Sequence, residues 1–322
     1  MELNKNIYNK EPEVDYMRSG WGDALVELGK KHEEVVVFCA DLADSVKVGD
    51  FMRAYPERYI ETGIQEQNMM SAAAGMAHTG LKPYAATYAV FCPGRNWDQI
   101  RVSVAYPRAK VVFAGAHAGI SVGPDGATHQ ALEDMATVRA LPNMTVLAPA
   151  DYEQTYKATM ATYDHDGPIY IRFGREKVPS ITTKKTPFKI GKADIYKEGK
   201  DVTIVACGQL VYEALMAAKK LEKDNIFAEV INSHTIKPID GATIIRSAVK
   251  TGAVVTAEEH QVQGGMGSAV AEVLSQNQPV PMEFVGMQNT FGESGTPAEL
   301  LDKYKMRSDD ILKAVKKVLK RK

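Results

Sequence analysis

Strand-length apolar runs alternate with amphipathic stretches over roughly the first 175 residues, a pattern typical of a parallel α/β sheet. The predicted strands lie at residues 35–40, 59–61, 84–87, 110–115, 145–147 and 169–172, and the predicted helices near residues 16–31, 66–79, 94–105, 130–140 and 151–163. Asp151 is the expected N-terminal cap of the last helix.

The composition changes at residues 176–190, which are polar and punctuated by proline, as expected of a linker. A second α/β unit follows, with predicted strands at residues 202–206, 228–231, 253–257 and 282–285. The chain has 322 residues and 45% hydrophobic content, enough for two cores. We therefore predict two domains, residues 1–175 and 191–322, joined by residues 176–190.

Charge and cysteine content exclude several classes of partner. The 39 basic and 40 acidic residues nearly cancel, which argues against nucleic acid or an anionic membrane. Cys39, Cys92 and Cys207 have no metal-ligand spacing and are predicted to be reduced thiols. Neither a signal peptide nor a membrane-spanning run is predicted, so we expect a cytoplasmic protein.

Glu66 is an unusual residue on an apolar helix stripe. Positions 66, 69, 70, 73, 76 and 77 share one face of a helix, and five of the six are Met or Ala. Thr62 and Gln65 are predicted to form a capping box, so the helix start does not require Glu66. One interpretation is a buried carboxyl group without a neighbouring cation, able to give or accept a hydrogen bond. The other is a first-turn glutamate favoured by the helix dipole, with its head in solvent.

A loop rich in glycine and histidine, residues 116–130, follows a buried strand and precedes a helix. That junction lies at the carboxyl edge of a parallel sheet, where ligands bind. Its residues His117, Asp125 and His129 are suited to hydrogen bonding with hydroxyl groups. Alternatively, His129 caps the following helix and Asp125 supports a Pro-Asp-Gly turn.

Other candidate ligand-binding residues are individually less specific. Tyr88 and Phe91 follow a strand end and are able to clamp a flat heterocycle, although such aromatics are more often core residues. Residues 264–268 match only part of a dinucleotide fingerprint, so we predict tight packing there. Four residues are candidate anion ligands, and surface salt bridges would explain the arginines equally well: Arg18, Ser45, Arg172 and Arg175.

Several motifs together resemble the transketolase family of thiamine diphosphate enzymes, in the same order and at the same spacing. They are Cys39-Ala-Asp-Leu-Ala-Asp-Ser45, Gly63-Ile-Gln-Glu-Gln67, Asp125-Gly-Ala-Thr-His-Gln130, Leu141-Pro-Asn-Met144 and Glu258-Glu-His-Gln-Val-Gln-Gly-Gly-Met-Gly-Ser268. The family's amino-terminal domain, with its Gly-Asp-Gly motif and magnesium-held diphosphate, has no match. The chain thus resembles the carboxy-terminal half of a split transketolase. This implies an α/β thiamine-diphosphate-type pyrimidine-binding domain with a parallel sheet, followed by a smaller α/β transketolase C-terminal domain.

The resemblance also implies roles for individual residues. Glu66 matches the family's cofactor-activating glutamate, which hydrogen-bonds the aminopyrimidine of thiamine diphosphate. Tyr88 and Phe91 match the aromatic wall around that ring. The remaining matches face the substrate: His117, Asp125 and His129 at the sugar's hydroxyl and carbonyl oxygens, Arg18, Ser45 and Arg175 in a phosphate clamp, and Asp41 in the same loop as Ser45. Glu66, His117 and His129 are the catalytic candidates, and no metal ligand is expected.

The implied reaction transfers a two-carbon ketol unit from a ketose phosphate to an aldose phosphate. A separate amino-terminal subunit would hold Mg²⁺ and the diphosphate, in an assembly of two plus two chains. Alternatives are a deoxyxylulose-phosphate synthase, the β subunit of a 2-oxo acid dehydrogenase, and a non-catalytic scaffold or regulatory partner.

Overall fold

The computed structural model describes residues 1–322, which form three sheets. The strands are β1 Val14–Tyr16, β2 Val35–Cys39, β3 Tyr59–Glu61, β4 Lys82–Tyr88, β5 Val112–Ala116, β6 Thr145–Leu147, β7 Ile169–Phe173, β8 Lys177–Pro179, β9 Asp194–Lys197, β10 Val202–Ala206, β11 Ala228–Asn232, β12 Thr235–Lys237, β13 Val254–Gln261 and β14 Met282–Met287.

Eleven α-helices cover these sheets. They are α1 Met17–Lys31, α2 Gly49–Ala54, α3 Glu66–His78, α4 Trp97–Gln99, α5 Asp134–Arg139, α6 Tyr152–Thr162, α7 Leu210–Leu221, α8 Gly241–Thr251, α9 Met266–Asn277, α10 Pro297–Lys303 and α11 Ser308–Leu319. A π-helix, Ile100–Ala105, continues α4, and 3₁₀ turns occur at Pro56–Arg58, Ile120–Asp125 and Glu222–Asp224. The Asp151 cap is confirmed, because its side chain accepts the Gln154 N–H at 2.9 Å.

The larger sheet has seven strands in the order β12-β6-β7-β5-β4-β2-β3. The six strands predicted for the first half are all present and pair in parallel. β2 and β5 are buried throughout, as expected of strands covered on both faces. β12, which comes from the second half of the chain, pairs antiparallel with β6 at the edge. The apolar pattern did not predict this crossing strand.

The second sheet has the order β14-β13-β10-β11-β9, and only β9 is antiparallel. It contains the four strands predicted for the second half, so the α/β class is confirmed. β1 and β8 form a separate antiparallel ribbon, which places a strand inside the predicted linker. The division of the chain at residues 176–190 remains a prediction. No helix is both long enough and apolar enough to cross a membrane.

Arg172 is not the anion ligand considered above. Its side chain is buried, and Nε donates to Asp134 Oδ2 at 2.8 Å while Nη2 donates to Asp134 Oδ1 at 3.2 Å. Tyr170 also donates to this carboxylate, at 2.7 Å. A guanidinium satisfied in this way inside the protein has a structural role, because freeing it for a ligand would leave Asp134 buried without its cation.

Candidate active site

The predicted site residues lie at the carboxyl edge of the seven-stranded sheet. Parallel strands end at the same edge, so the segments that follow them converge there. Asp41 and Ser45 follow β2, Glu66 follows β3, Tyr88 and Phe91 lie at and after the end of β4, His117 follows β5, and Arg175 follows β7. Arg18 comes from the first turn of α1.

Glu66 is 4% exposed at the first position of α3, so the buried interpretation is confirmed and the solvent-facing one is wrong. The expected lack of a cation is also wrong. Arg95 Nη1 donates to the two carboxylate oxygens at 3.1 and 3.4 Å. Arg95 lies 29 residues after Glu66, in the segment that follows β4. The periodicity of the Glu66 helix therefore could not predict this ion pair.

The predicted capping box does not form. Gln65 occupies the cap position of α3 without a side-chain hydrogen bond, and the Thr62 hydroxyl donates to the Cys39 carbonyl at 2.9 Å instead. Thr62 therefore ties the start of α3 to the end of β2. This contact fixes the turn that carries Glu66 against the sheet edge.

The aromatic pair forms a wall rather than a clamp. The Tyr88 and Phe91 rings are 5.9 Å apart between centroids and inclined by 23°, whereas a heterocycle sandwiched between them needs about 7 Å, twice a van der Waals contact. The Arg95 guanidinium lies 4.0 Å from the Phe91 centroid, and the His129 ring meets Phe91 edge-on at 5.4 Å. One continuous surface thus runs from Glu66 to His129.

His117 lies at the other end of this wall, where its ring is 4.2 Å from the Tyr88 ring. Its Nε2 is 3.4 Å from Arg18 Nη1, which also donates to the Ser45 carbonyl at 3.0 Å. His117 Nδ1 is buried and has no partner in the protein. Burial, reinforced by the charges of Arg18, Arg175 and His129, lowers the pKa of His117 to about 3.

We expect the His117 ring to remain neutral throughout the physiological range. An NMR titration of ring-labelled protein should show no protonation of His117 between pH 8 and about pH 5. Because its folded pKa lies below the ordinary 6.5, His117 contributes stability that is present above pH 6.5 and is lost as the pH falls toward 3. A midpoint between pH 6 and 7 for His117 would contradict this prediction.

Asp125 and Arg175 are close to each other at the carboxyl edge of the sheet, and His129 lies in the same loop as Asp125. Arg175 Nη1 donates to the Val122 carbonyl at 2.9 Å and lies 3.4 Å from Asp125 Oδ1. His129 Nδ1 is 2.9 Å from the Thr128 hydroxyl. The alternative in which His129 caps the next helix is wrong, because α5 begins only at Asp134.

Asp41 is held by a residue that the sequence had not singled out. Glu61, at the end of β3, accepts the backbone N–H groups of Asp41 and Gly63 with Oε1, each at 2.8 Å. Its Oε2 accepts the Tyr59 hydroxyl at 2.7 Å. Asp41 adopts φ +57°, which this carboxylate anchor supports. The sequence feature that could have identified Glu61 is its place as an acidic residue at the carboxyl end of a predicted strand.

The predicted tight packing at residues 264–268 is confirmed, since Cβ atoms added at Gly265 and Gly267 would lie 2.2 Å from Glu258 Oε2 and 2.6 Å from Thr256 Oγ1. No group of three or more His, Cys, Asp or Glu side chains is placed to hold a metal ion. The three cysteines are free and buried.

Two family models match the sequence. The model described as "Transketolase, pyrimidine binding domain" matches residues 16–180, and "Transketolase, C-terminal domain" matches residues 191–311. With the buried glutamate at the carboxyl sheet edge, these matches define the class: the chain belongs to the transketolase family.

Individual relatives narrow this class. A Methanocaldococcus jannaschii chain, provisionally named as a transketolase C-terminal section, is 42% identical, covering 95% of this chain and 96% of the relative. A 6-deoxy-6-sulfo-D-fructose transketolase subunit from a Clostridium species is 41% identical, covering 96% of each. A solved structure described as a split gene transketolase, inactive beta4 tetramer, is 46% identical with a TM-score of 0.88, covering 96% of this chain and 99% of that one. Within the family, this chain corresponds to the carboxy-terminal section of a split transketolase.

Proposed function

We propose that this chain, together with a separate amino-terminal subunit, transfers a two-carbon ketol unit from a ketose phosphate to an aldose phosphate. The observation that carries the proposal is the Glu66 carboxyl group, buried beside an aromatic wall at the carboxyl edge of a parallel sheet. Thiamine diphosphate supplies the carbanion chemistry when bound. Glu66 would hydrogen-bond its pyrimidine ring, and Tyr88 and Phe91 would provide the apolar surface against that ring.

The polar residues beyond the wall suit a sugar phosphate. The neutral His117 lies on one side of Tyr88 and Phe91, and His129 lies on the other side. These histidines would stabilise charge developing on the sugar oxygens. Arg18, Ser45 and Arg175 would bind the phosphate, and Asp41 and Asp125 would contact hydroxyl groups. Binding of this remote anion orients the reacting carbons.

The partner subunit would complete the site. This chain has no side-chain cluster suited to a metal, which supports placing Mg²⁺ and the diphosphate on the amino-terminal subunit. The solved relative is described as an inactive tetramer of beta chains, which supports a requirement for the other subunit. We propose an assembly of two plus two chains, acting in the cytoplasm within the pentose phosphate pathway.

A substrate comparison tests the proposed reaction. With thiamine diphosphate, Mg²⁺ and the amino-terminal subunit present, we expect turnover of xylulose phosphate with ribose phosphate and none of pyruvate with glyceraldehyde phosphate. Coupled assays with both pairs, at equal enzyme concentration, measure the difference. Turnover confined to the pyruvate pair would support the synthase alternative, and turnover of neither pair would support a non-catalytic role.

A further inference from the structure

The second half of the chain contacts the loop that carries the substrate-facing residues. This loop, residues 119–126, lies between His117 and His129, and we call it the substrate-side loop. Glu259 on β13 is 5% exposed and accepts the Ser121 N–H with Oε1 at 2.5 Å. Its Oε2 accepts from the side-chain amide of Gln209, which also donates to the Ser121 hydroxyl at 3.0 Å. Glu259, Gln209 and Ser121 therefore form a closed set of hydrogen bonds.

At both ends of the substrate-side loop, the backbone packs closely against residues of the second half. Gly119 has φ +92°, and an added Cβ would lie 2.4 Å from Glu259 Cδ. Gly126 has φ +74°, and an added Cβ would lie 2.6 Å from Ser294 Oγ. Both positions require glycine for its positive φ and for the close approach. The shape of the loop thus depends on residues from the second half.

Burial differs along the substrate-side loop. Ile120, Ser121 and Val122 are buried, whereas Asp125 is exposed at the sheet edge. Arg175 joins the two parts, since it donates to the Val122 carbonyl and lies beside Asp125. A displacement of Ser121 would therefore be transmitted to Asp125 through the neighbouring Val122 carbonyl and the Arg175 guanidinium.

We propose that Glu259 is a positioning residue, which holds the substrate-side loop so that Asp125 and His129 face the same edge as His117 and Arg175. This inference rests on the proposed function and extends it, because it assigns to the carboxy-terminal half a role in substrate binding.

The chemistry of the contact supports a positional role rather than one in stability. Burial raises the pKa of the Glu259 carboxyl group, and the hydrogen bonds from Ser121 and Gln209 offset that cost only in part. A fully hydrogen-bonded buried carboxylate instead specifies one arrangement of its partners.

The test is Glu259→Gln in the reconstituted complex. The new side chain keeps the shape of glutamate. Its amide N–H group replaces the oxygen that accepts from the Gln209 amide, so this hydrogen bond is lost. We expect KM for the sugar phosphates to rise by about tenfold, with kcat reduced by less than about threefold, since a displaced loop weakens ground-state and transition-state binding alike. Adding Gln209→Glu restores a donor–acceptor pair with reversed polarity and should recover most of the loss.

Glu258→Gln provides the matched control. Glu258 is the neighbouring buried carboxylate, and it accepts the Met266 and Gly267 N–H groups at 2.6 and 2.8 Å at the start of α9. Neighbouring strand residues point to opposite faces, so it does not contact the loop. We expect its KM to remain within about twofold of wild type, because its partners lie outside the site.

Hydrogen exchange gives a readout independent of turnover. In the full complex, amides of residues 119–126 should exchange faster in Glu259→Gln, but not in Glu258→Gln or the double variant. Unchanged exchange and KM in Glu259→Gln, or an equal rise in KM in both single variants, would overturn the positioning role. Failure of the proposed function is distinguishable, because the wild-type complex would then show no ketol transfer.

Discussion

Replacement of Glu66 by alanine should nearly abolish ketol transfer by the reconstituted enzyme and leave subunit assembly intact. Proton transfer by a positioned side chain contributes roughly 10²- to 10⁴-fold to a rate, and we expect a loss of kcat in this range. The fold should tolerate the change. Arg95, the partner of Glu66, is 48% exposed, so its guanidinium would turn to water rather than remain buried and unpaired. A coupled assay gives kcat, and analytical ultracentrifugation reports assembly.

Glu57→Ala is the control for this variant, because it also removes a glutamate carboxyl group, but one at an exposed position. It should assemble and turn over like the wild type. Normal turnover by Glu66→Ala, measured with the amino-terminal subunit and cofactor present, would reject the assignment. Loss of assembly in Glu66→Ala would show a structural role for Glu66 at the subunit contact.

The isolated chain should show no measurable ketol transfer, and activity should rise with added amino-terminal subunit until the two are equimolar. The physical reason is the division of the cofactor site. In the proposed division, Glu66 and the aromatic wall would hold the pyrimidine end of the cofactor, and the amino-terminal subunit would hold the diphosphate end. The measurement is turnover against subunit ratio, with thiamine diphosphate and Mg²⁺ in excess.

A plateau at one amino-terminal subunit per chain would agree with an assembly of two plus two. Adding the amino-terminal subunit to Glu66→Ala provides the control, since it should form the same complex without restoring activity. Turnover by this chain alone, at a rate close to that of the complex, would contradict the divided site.

Local sequence patterns were sufficient for most of the fold. Continuous apolar runs such as Val35–Cys39 predicted the strands, because a strand covered on both faces must be apolar along its length. The stripe of Met and Ala around Glu66 predicted a helix with one buried face by the same reasoning, but it left open whether the Glu66 carboxyl group is buried or reaches solvent. The loop after β5 was predicted to lie at the ligand-binding edge, since the edge follows from strand direction alone.

Contacts between distant segments were not predictable in this way. Arg95 reaches Glu66 from 29 residues away, Arg172 pairs with Asp134 across 38 residues, and Glu259 meets Ser121 across 138 residues. The edge strand β12 joins a sheet formed otherwise by the first half. Each of these depends on which loops the strand order brings together.

By itself, the sequence determined the α/β class and the parallel strands, because hydrophobic periodicity is a property of each segment alone. Only the tertiary structure decided that Glu66 is buried, which charge faces it, that Arg172 is structural, and that the second half contacts residues 119–126. Such pairings arise when strand order places side chains from different elements within hydrogen-bonding distance, and no single segment encodes that order.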